Sequence, residues 1–288
     1  MEEFPIEIIT VTEHFPQLKE IPQPPKTLKV RGSLERIQGT TLITVVGSRN
    51  FTPYGKHACE SLIQGLSGYP ITIVSGLANG IDTIAHEAAL KAGLPTIAFP
   101  GSGLDWKVIY PSANKQLAKN ILKAGGMLMS EFDDDMQGIY WAFPQRNRLE
   151  AGIATMTIII EAEEKSGTLI TARLATEYNK TVGAVPGPIT SPNSLGSNWL
   201  LKLGAVPITE SADILKELHF HLPGQLPLHT IILNDVEQKI FNMITTPLSK
   251  ETIIDNLAED IITATIAFST LEIKGVIRET YGLIERAL

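Results

Sequence analysis

Six short apolar runs recur in one stretch of the chain: LITVV, ITIVS, PTIAF, GMLMS, MTIII and TVGAV. Between them lie segments with helical patterning, at 53–67, 80–92, 113–124, 145–152 and 168–178. Strands that alternate with helices are joined by crossover connections. Such connections set neighbouring strands parallel and put helices on the sheet faces. The alternation therefore predicts an α/β fold over residues 42–218: an extended Rossmann-like, doubly wound sheet, mostly parallel. A sheet of this kind binds its ligands beyond the carboxyl ends of the strands. Function is to be sought in the residues at the end of each run.

Three further blocks flank this region. Residues 1–41 carry Pro22, Pro24 and Pro25 in "IPQPPK" and read as an extended N-terminal lead-in, whose "TLKVRG" alternates like an edge strand. Residues 219–230, "HFHLPGQLPLHT", hold two prolines and a glycine and read as a linker. Residues 231–288 show three helical patterns (234–244, 249–257, 260–272) and then "EIKGVIRETYGLIER", which alternates around a turn. That order predicts a small C-terminal winged-helix domain.

The strand ends are rich in small residues. The first gives Gly47-Ser48-Arg49, the second "SGLANGID", the third "PGSGLD" with Gly101, Ser102 and Gly103. The fourth gives Ser130-Glu131, the fifth Lys165-Ser166-Gly167-Thr168, the sixth "PGPITSPNS". Small residues let backbone N–H groups approach an anion, and a helix N-terminus next in the chain adds partial positive charge. Glycines also close tight turns for purely steric reasons, but their recurrence along one sheet edge favours several phosphates. Arg49 stands where a dinucleotide turn would carry its second glycine. Before the fifth strand lies "YWAFPQRNRLEAG", where Tyr140, Trp141 and Phe143 neighbour Arg146 and Arg148. Stacking rings beside guanidinium groups suit single-stranded nucleic acid. Taken alone, the same stretch also reads as a helix start with surface arginines.

Charge and composition narrow the classes. The formal net charge is −7, yet residues 42–220 are close to balanced, with 14 basic and 16 acidic side chains. Residues 231–288 carry 5 basic and 9 acidic side chains and are the acidic part. Cys59 is the single cysteine, which excludes an internal disulfide and fits a reducing, cytoplasmic setting. No stretch has the roughly 18 apolar residues of a membrane span, and the N-terminus has no signal-peptide pattern. The histidines have no metal-ligand spacing, and no cofactor motif is present. Asp82 and His86 share a helix face, where capping by Asp82 is a plainer role than acid–base work.

In order along the chain, "VVGSR", "IVSGLANGIDTIAHEAALKAGLPTIAFPGSGLDWKVIYPSANKQL", "GGMLMSEF", "FPQRNRLEAGIA", "IIIEAEEKSGTLITARLATEYNKTVGAVPG" and "GSNWLLKLGA" resemble the blocks of the DNA processing protein A (DprA/Smf) family. The resemblance covers roughly residues 13–218. It implies a cytoplasmic single-stranded-DNA-binding protein without catalysis, metal or cofactor. Such proteins protect incoming DNA in natural transformation, help load a RecA-type recombinase, and act as homodimers. Carried over by position, Gly47, Ser48, Arg49, Phe143, Arg146, Asn147 and Arg148 would hold DNA. Gly101, Ser102, Gly103, Lys115, Lys165, Ser166, Gly167 and Thr168 would line the same groove. Tyr140 and Ser112 stand where several relatives have lysine. Two other classes compete: a LOG-like nucleotide phosphoribohydrolase, whose P-G-G-x-G-T turn is not matched by Pro100–Asp105, and a duplex-DNA regulator acting through the winged helix. The recognition-helix stretch of that domain, "DIITATIAFSTLEIKG", has Lys274 as its one basic residue and suits protein contact better.

Overall fold

The computed structural model describes residues 4–220, 233–257, 259–280 and 282–286. The chain separates into two compact units, divided between Phe220 and His221. The first opens with β1 (Glu7–Thr10), α1 (Val11–His14) and β2 (Thr27–Gly32). Then come β3 (Thr41–Val46), α2 (Pro53–Gln64), β4 (Ile71–Ser75), α3 (Ile81–Lys91), β5 (Thr96–Ala98), α4 (Lys115–Lys123) and β6 (Met127–Ser130). The unit continues through α5 (Ala142–Ile153), β7 (Met156–Ile159), α6 (Thr168–Glu177), β8 (Thr181–Ala184), α7 (Leu195–Lys202), β9 (Val206–Pro207) and α8 (Ser211–Glu217).

The nine strands form one sheet in the order β1-β2-β6-β5-β4-β3-β7-β8-β9. From β6 to β9 neighbours are parallel; β1 and β2 are added antiparallel. All six apolar runs are strands. β4, β5, β6 and β7 are buried at every residue, which explains why they read as unbroken apolar runs. The helices α7 and α8 and the short β9 are not evident from the sequence pattern.

Residues 1–41 differ from the extended lead-in expected of them. β2 is not an edge strand: it lies between β1 and β6, pairing Lys29 with Ser130 and Gly32 with Met127. Val11, Phe15, Leu18, Leu28 and Val30 bury their side chains in one core with Val74, Phe99, Met129 and Leu149. At Gly152 a Cβ would fall 2.5 Å from Ile21 Cγ2, so α5 and this segment meet at backbone distance.

The strand order fixes where a ligand can sit. The chain runs outward from β3 through β4 and β5 to β6, then returns to place β7 on the other side of β3. At such a reversal the loops leaving two adjacent strands diverge and open a crevice. Here they are the loops after Val46 and after Ile159, which pair in register.

The second unit contains α9 (Asp235–Met243), β10 (Leu248–Ser249), α10 (Lys250–Asn256), α11 (Ile261–Ile273), β11 (Ile277–Thr280) and β12 (Leu283–Arg286). Its strands form a three-stranded antiparallel sheet, β10-β12-β11, over a core of Ile240, Ile253, Phe268, Leu271 and Ile284. Asn234, Ser249 and Asp260 cap the three helices. The linker read at 219–230 lies outside the described residues from 221 onward. His219 and Phe220 close the turn after α8, with the Phe220 ring edge-on to Tyr69 at 5.7 Å.

Candidate nucleic-acid interface

At the reversal point the structure has an open trough of about 420 Å³. The turn after β3 forms one wall. Gly47 is required there, because a Cβ would lie 2.7 Å from Ile81 Cγ1. The Ser48 N–H donates to Glu161 O (2.8 Å), and Ser48 Oγ accepts from the Asn50 N–H (3.1 Å). Gly80, at φ +91°, brings its backbone against Ser48 and Arg49 from the other side. Glu161 fixes the start of α2: Thr52 donates to it through N–H (2.9 Å) and Oγ1–H (2.6 Å). With its neighbours pinned, the turn projects Arg49 outward. Arg49 is exposed, makes no ion pair among the described residues, and holds its Cζ 5.6 Å from the Phe143 ring centroid.

The start of α5 forms the facing wall. Phe143 packs on Tyr110 with ring centroids 5.6 Å apart, and Asn147 stands one turn later. Tyr140 is 90 % exposed at the rim. Ser166, Gly167 and Thr168 close the trough at the start of α6; nothing lies within 4 Å of a Cβ placed on Gly167.

The floor is a buried charge cluster. Arg146 donates to Gly76 O (2.5 Å) and to Phe99 O, and it lies 3.1 Å from Glu150 Oε1. Asp82 accepts from the N–H groups of Gly76 (3.2 Å) and Ala78 (3.3 Å). It holds the loop after β4 and does not cap α3, whose N-cap, Gly80, has no side-chain bond. Burial pushes the Glu150 carboxyl up to about 8; Arg146 pulls it down and the neighbouring Asp82 pushes it up. Burial raises Asp82 as well, against the pull of Arg146. His86, beneath them, is held neutral: burial lowers it to about 3, and its Nδ1 meets Thr96 Oγ1 at 2.7 Å.

Nine of the residues expected at a DNA site line this trough: Gly47, Ser48, Arg49, Phe143, Arg146, Asn147, Ser166, Gly167 and Thr168. Arg146 does so from beneath, buried, with Nη1 donating to the Gly76 and Phe99 carbonyls and Nε without a hydrogen-bond partner among the described residues. Arg148 points elsewhere, pairing with Glu131 and donating to Gln23 O (3.0 Å). Gly101, Ser102 and Gly103 are buried. A Cβ on Gly101 would strike the Phe143 ring, and one on Gly103 would strike the Asp133 carbonyl, so these glycines serve close packing, not an open cradle. Lys115 donates to Lys107 O (3.3 Å), and the exposed Lys165 stands outside the lining. Sequence reasoning missed Asn50, Glu150 and Glu163, which also line the trough. The spacing of Arg146 and Glu150, one helical turn apart, is the signal that could have exposed the floor.

The sequence profile of the "DNA recombination-mediator protein A" family matches residues 7–219. Protein Smf of Escherichia coli is 41 % identical over 207 residues, covering 72 % of this chain and 54 % of that protein. The chain thus spans about half the length of that relative. The X-ray structure of DNA processing protein A from Streptococcus pneumoniae superposes with a TM-score of 0.68 at 37 % identity, covering 77 % of this chain and 76 % of that one. A structure of DNA processing protein A from Helicobacter pylori, described for its single-stranded DNA binding mode, gives 0.67 at 31 % identity, covering 77 % and 100 %.

Proposed function

The chain belongs to the DNA recombination-mediator protein A family, and from that premise we propose that it binds single-stranded DNA along the trough at the β3/β7 reversal. The observation that carries this reading is Arg49, an exposed guanidinium with no ion pair among the described residues, held over an aromatic ring. A polymer offers a phosphate at every nucleotide and lies across the strand ends. An outward five-donor fork suits that geometry, whereas a walled dinucleotide pocket would have no room for it. Phe143, Tyr110 and Tyr140 offer faces on which bases of any sequence can stack. The floor below is buried, so the DNA takes its contacts from the rim.

On this reading the protein acts by binding, with no chemical step. It shields a single strand in the cytoplasm and helps pass it to a RecA-type recombinase, as a homodimer. An exposed apolar strip of Ile189, Leu195, Trp199 and Leu203 is the kind of surface that self-association would cover.

The test is fluorescence anisotropy with a labelled single strand and a duplex of equal length. Arg49→Ala weakens single-strand binding by about 1.5–3 kcal/mol, the range for a hydrogen bond to a charged group, with the melting temperature nearly unchanged. Arg49→Lys recovers only part of the loss. If Arg49→Ala binds normally and melts several degrees lower, the arginine is structural and the proposal fails.

A further inference from the structure

α11 is apolar on both of its faces. Ala264, Ala267, Phe268 and Leu271 pack inward into the core of the second unit. On the opposite face Ile262, Ile266 and Ile273 are 73, 62 and 86 % exposed, and Ile261 at the helix start is 69 % exposed. A helix that is hydrophobic all round ordinarily has both faces covered. Of the polar residues there, Thr265 donates to Ile261 O (2.7 Å) and Thr270 to Ile266 O (2.8 Å), which turns these hydroxyls back onto the helix, while the exposed Ser269 stands between Ile266 and Ile273. Positions 262, 266, 269 and 273 have the spacing of a helix–helix seam.

The charge of the unit as a whole selects its partner: residues 231–288 carry 5 basic and 9 acidic side chains. The five cations of the unit are all engaged among the described residues. Lys239 pairs with Glu259 (2.8 Å), Lys250 with Glu279 (2.7 Å), Lys274 with Glu237 (2.5 Å) and Arg278 with Glu285 (2.7 Å). Arg286 lies over the Phe241 ring and donates to Phe241 O (2.8 Å). Asp235, Glu251 and Asp255 make no ion pair among the described residues. A duplex would find no uncommitted cation there for its phosphates. A second copy would bring two surfaces of the same negative excess together. We propose that the outer face of α11 docks a basic amphipathic helix of another protein, its apolar side on the isoleucine ridge and its lysines or arginines drawn by the carboxylate excess of the unit.

The experiment uses the full chain and two labelled helical peptides. Both carry leucine at heptad a and d positions; one has lysine at e and g, the other glutamate. Anisotropy should show the lysine peptide binding at least about tenfold tighter, which is about 1.4 kcal/mol. The double variant Ile262→Ser/Ile266→Ser should lose at least about that factor while keeping its circular-dichroism melt. Arg49→Ala should bind the peptide as the parent does, which separates this surface from the trough. Equal binding of the two peptides, or an unaffected double variant, overturns the proposal. So does a dimer, by sedimentation, or a duplex-DNA complex that the double variant abolishes.

Discussion

Arg49 and Arg146 border the same trough from above and below, and they have opposite conditions. Arg49 stands in solvent over a ring, with no carboxylate partner among the described residues. Arg146 is 5 % exposed beside the Glu150 carboxyl, with Nη1 donating to the carbonyls of Gly76 and Phe99. One is available to a ligand; the other holds together the loops that shape the trough. An arginine near a strand end is therefore not a phosphate contact by position alone. What decides is whether the guanidinium stands in solvent or is buried among the loops it holds.

The sharpest way to break this contrast is Arg146→Ala. Removing the guanidinium leaves two buried carbonyls without a donor and takes away the positive charge that opposes the cost of burying Asp82. Breaking a buried pair in this way costs about 3–5 kcal/mol, read as a large fall in the denaturation midpoint. Arg49→Ala should leave that midpoint nearly unmoved. If the two variants melt alike, the distinction between rim and floor is false.

The floor also makes stability depend on pH. Glu150 titrates near 8 in the folded protein, against 4.5 for its ordinary value, so the folded state retains a proton that the unfolded chain has lost. Stabilisation from this group is fully present below about pH 4.5 and declines as pH rises toward 8. The slope is at most about 1.4 kcal/mol per pH unit for one proton. Glu150→Gln should flatten the fall between about pH 6 and 8; an unchanged profile would show that the proton resides elsewhere.

On the rim, Phe143→Ala removes a stacking face and should cost about 1–3 kcal/mol of single-strand affinity. Its effect on stability is smaller than that of Arg146→Ala, because the ring is only half-buried. A melt as damaged as that of Arg146→Ala would move Phe143 from the rim to the structural core.

Six of the parallel strands were legible because each is a compact apolar run between helical stretches. Arg49 was legible because it stands directly after one of those strand-end glycines and its serine. Arg146 and Arg148 read as one pair in the sequence, but residues two apart on a helix do not share a face. Only one of them can look into the trough, and the other ties α5 to Glu131 and Gln23. The buried role of residues 1–41 was hidden for a different reason. β1 is four residues long and its partner strand lies well beyond the next turn, so local alternation could not reveal the pairing.

The smallest expected effect tests the rim most directly. A single strand gives a slope of log K against log salt of about −0.7 per phosphate neutralised. If Arg49, Arg146, Arg148, Lys115 and Lys165 all met phosphates, the slope would approach about −3.5 on that rule. With Arg146 and Arg148 committed inside the protein, Arg49, Lys115 and Lys165 remain, and the slope should be no steeper than about −2. Tyr140 projects from the rim beside Phe143, where a lysine would gain a phosphate without disturbing the core. Tyr140→Lys should therefore steepen the slope by about 0.7 and tighten binding at low salt, with little change at high salt, where the tyrosine's stacking face is lost and the new charge is screened. A parent slope of about −3.5 would return Arg146 and Arg148 to the DNA. An unchanged slope in Tyr140→Lys would show that the phosphates run along a different edge of the trough.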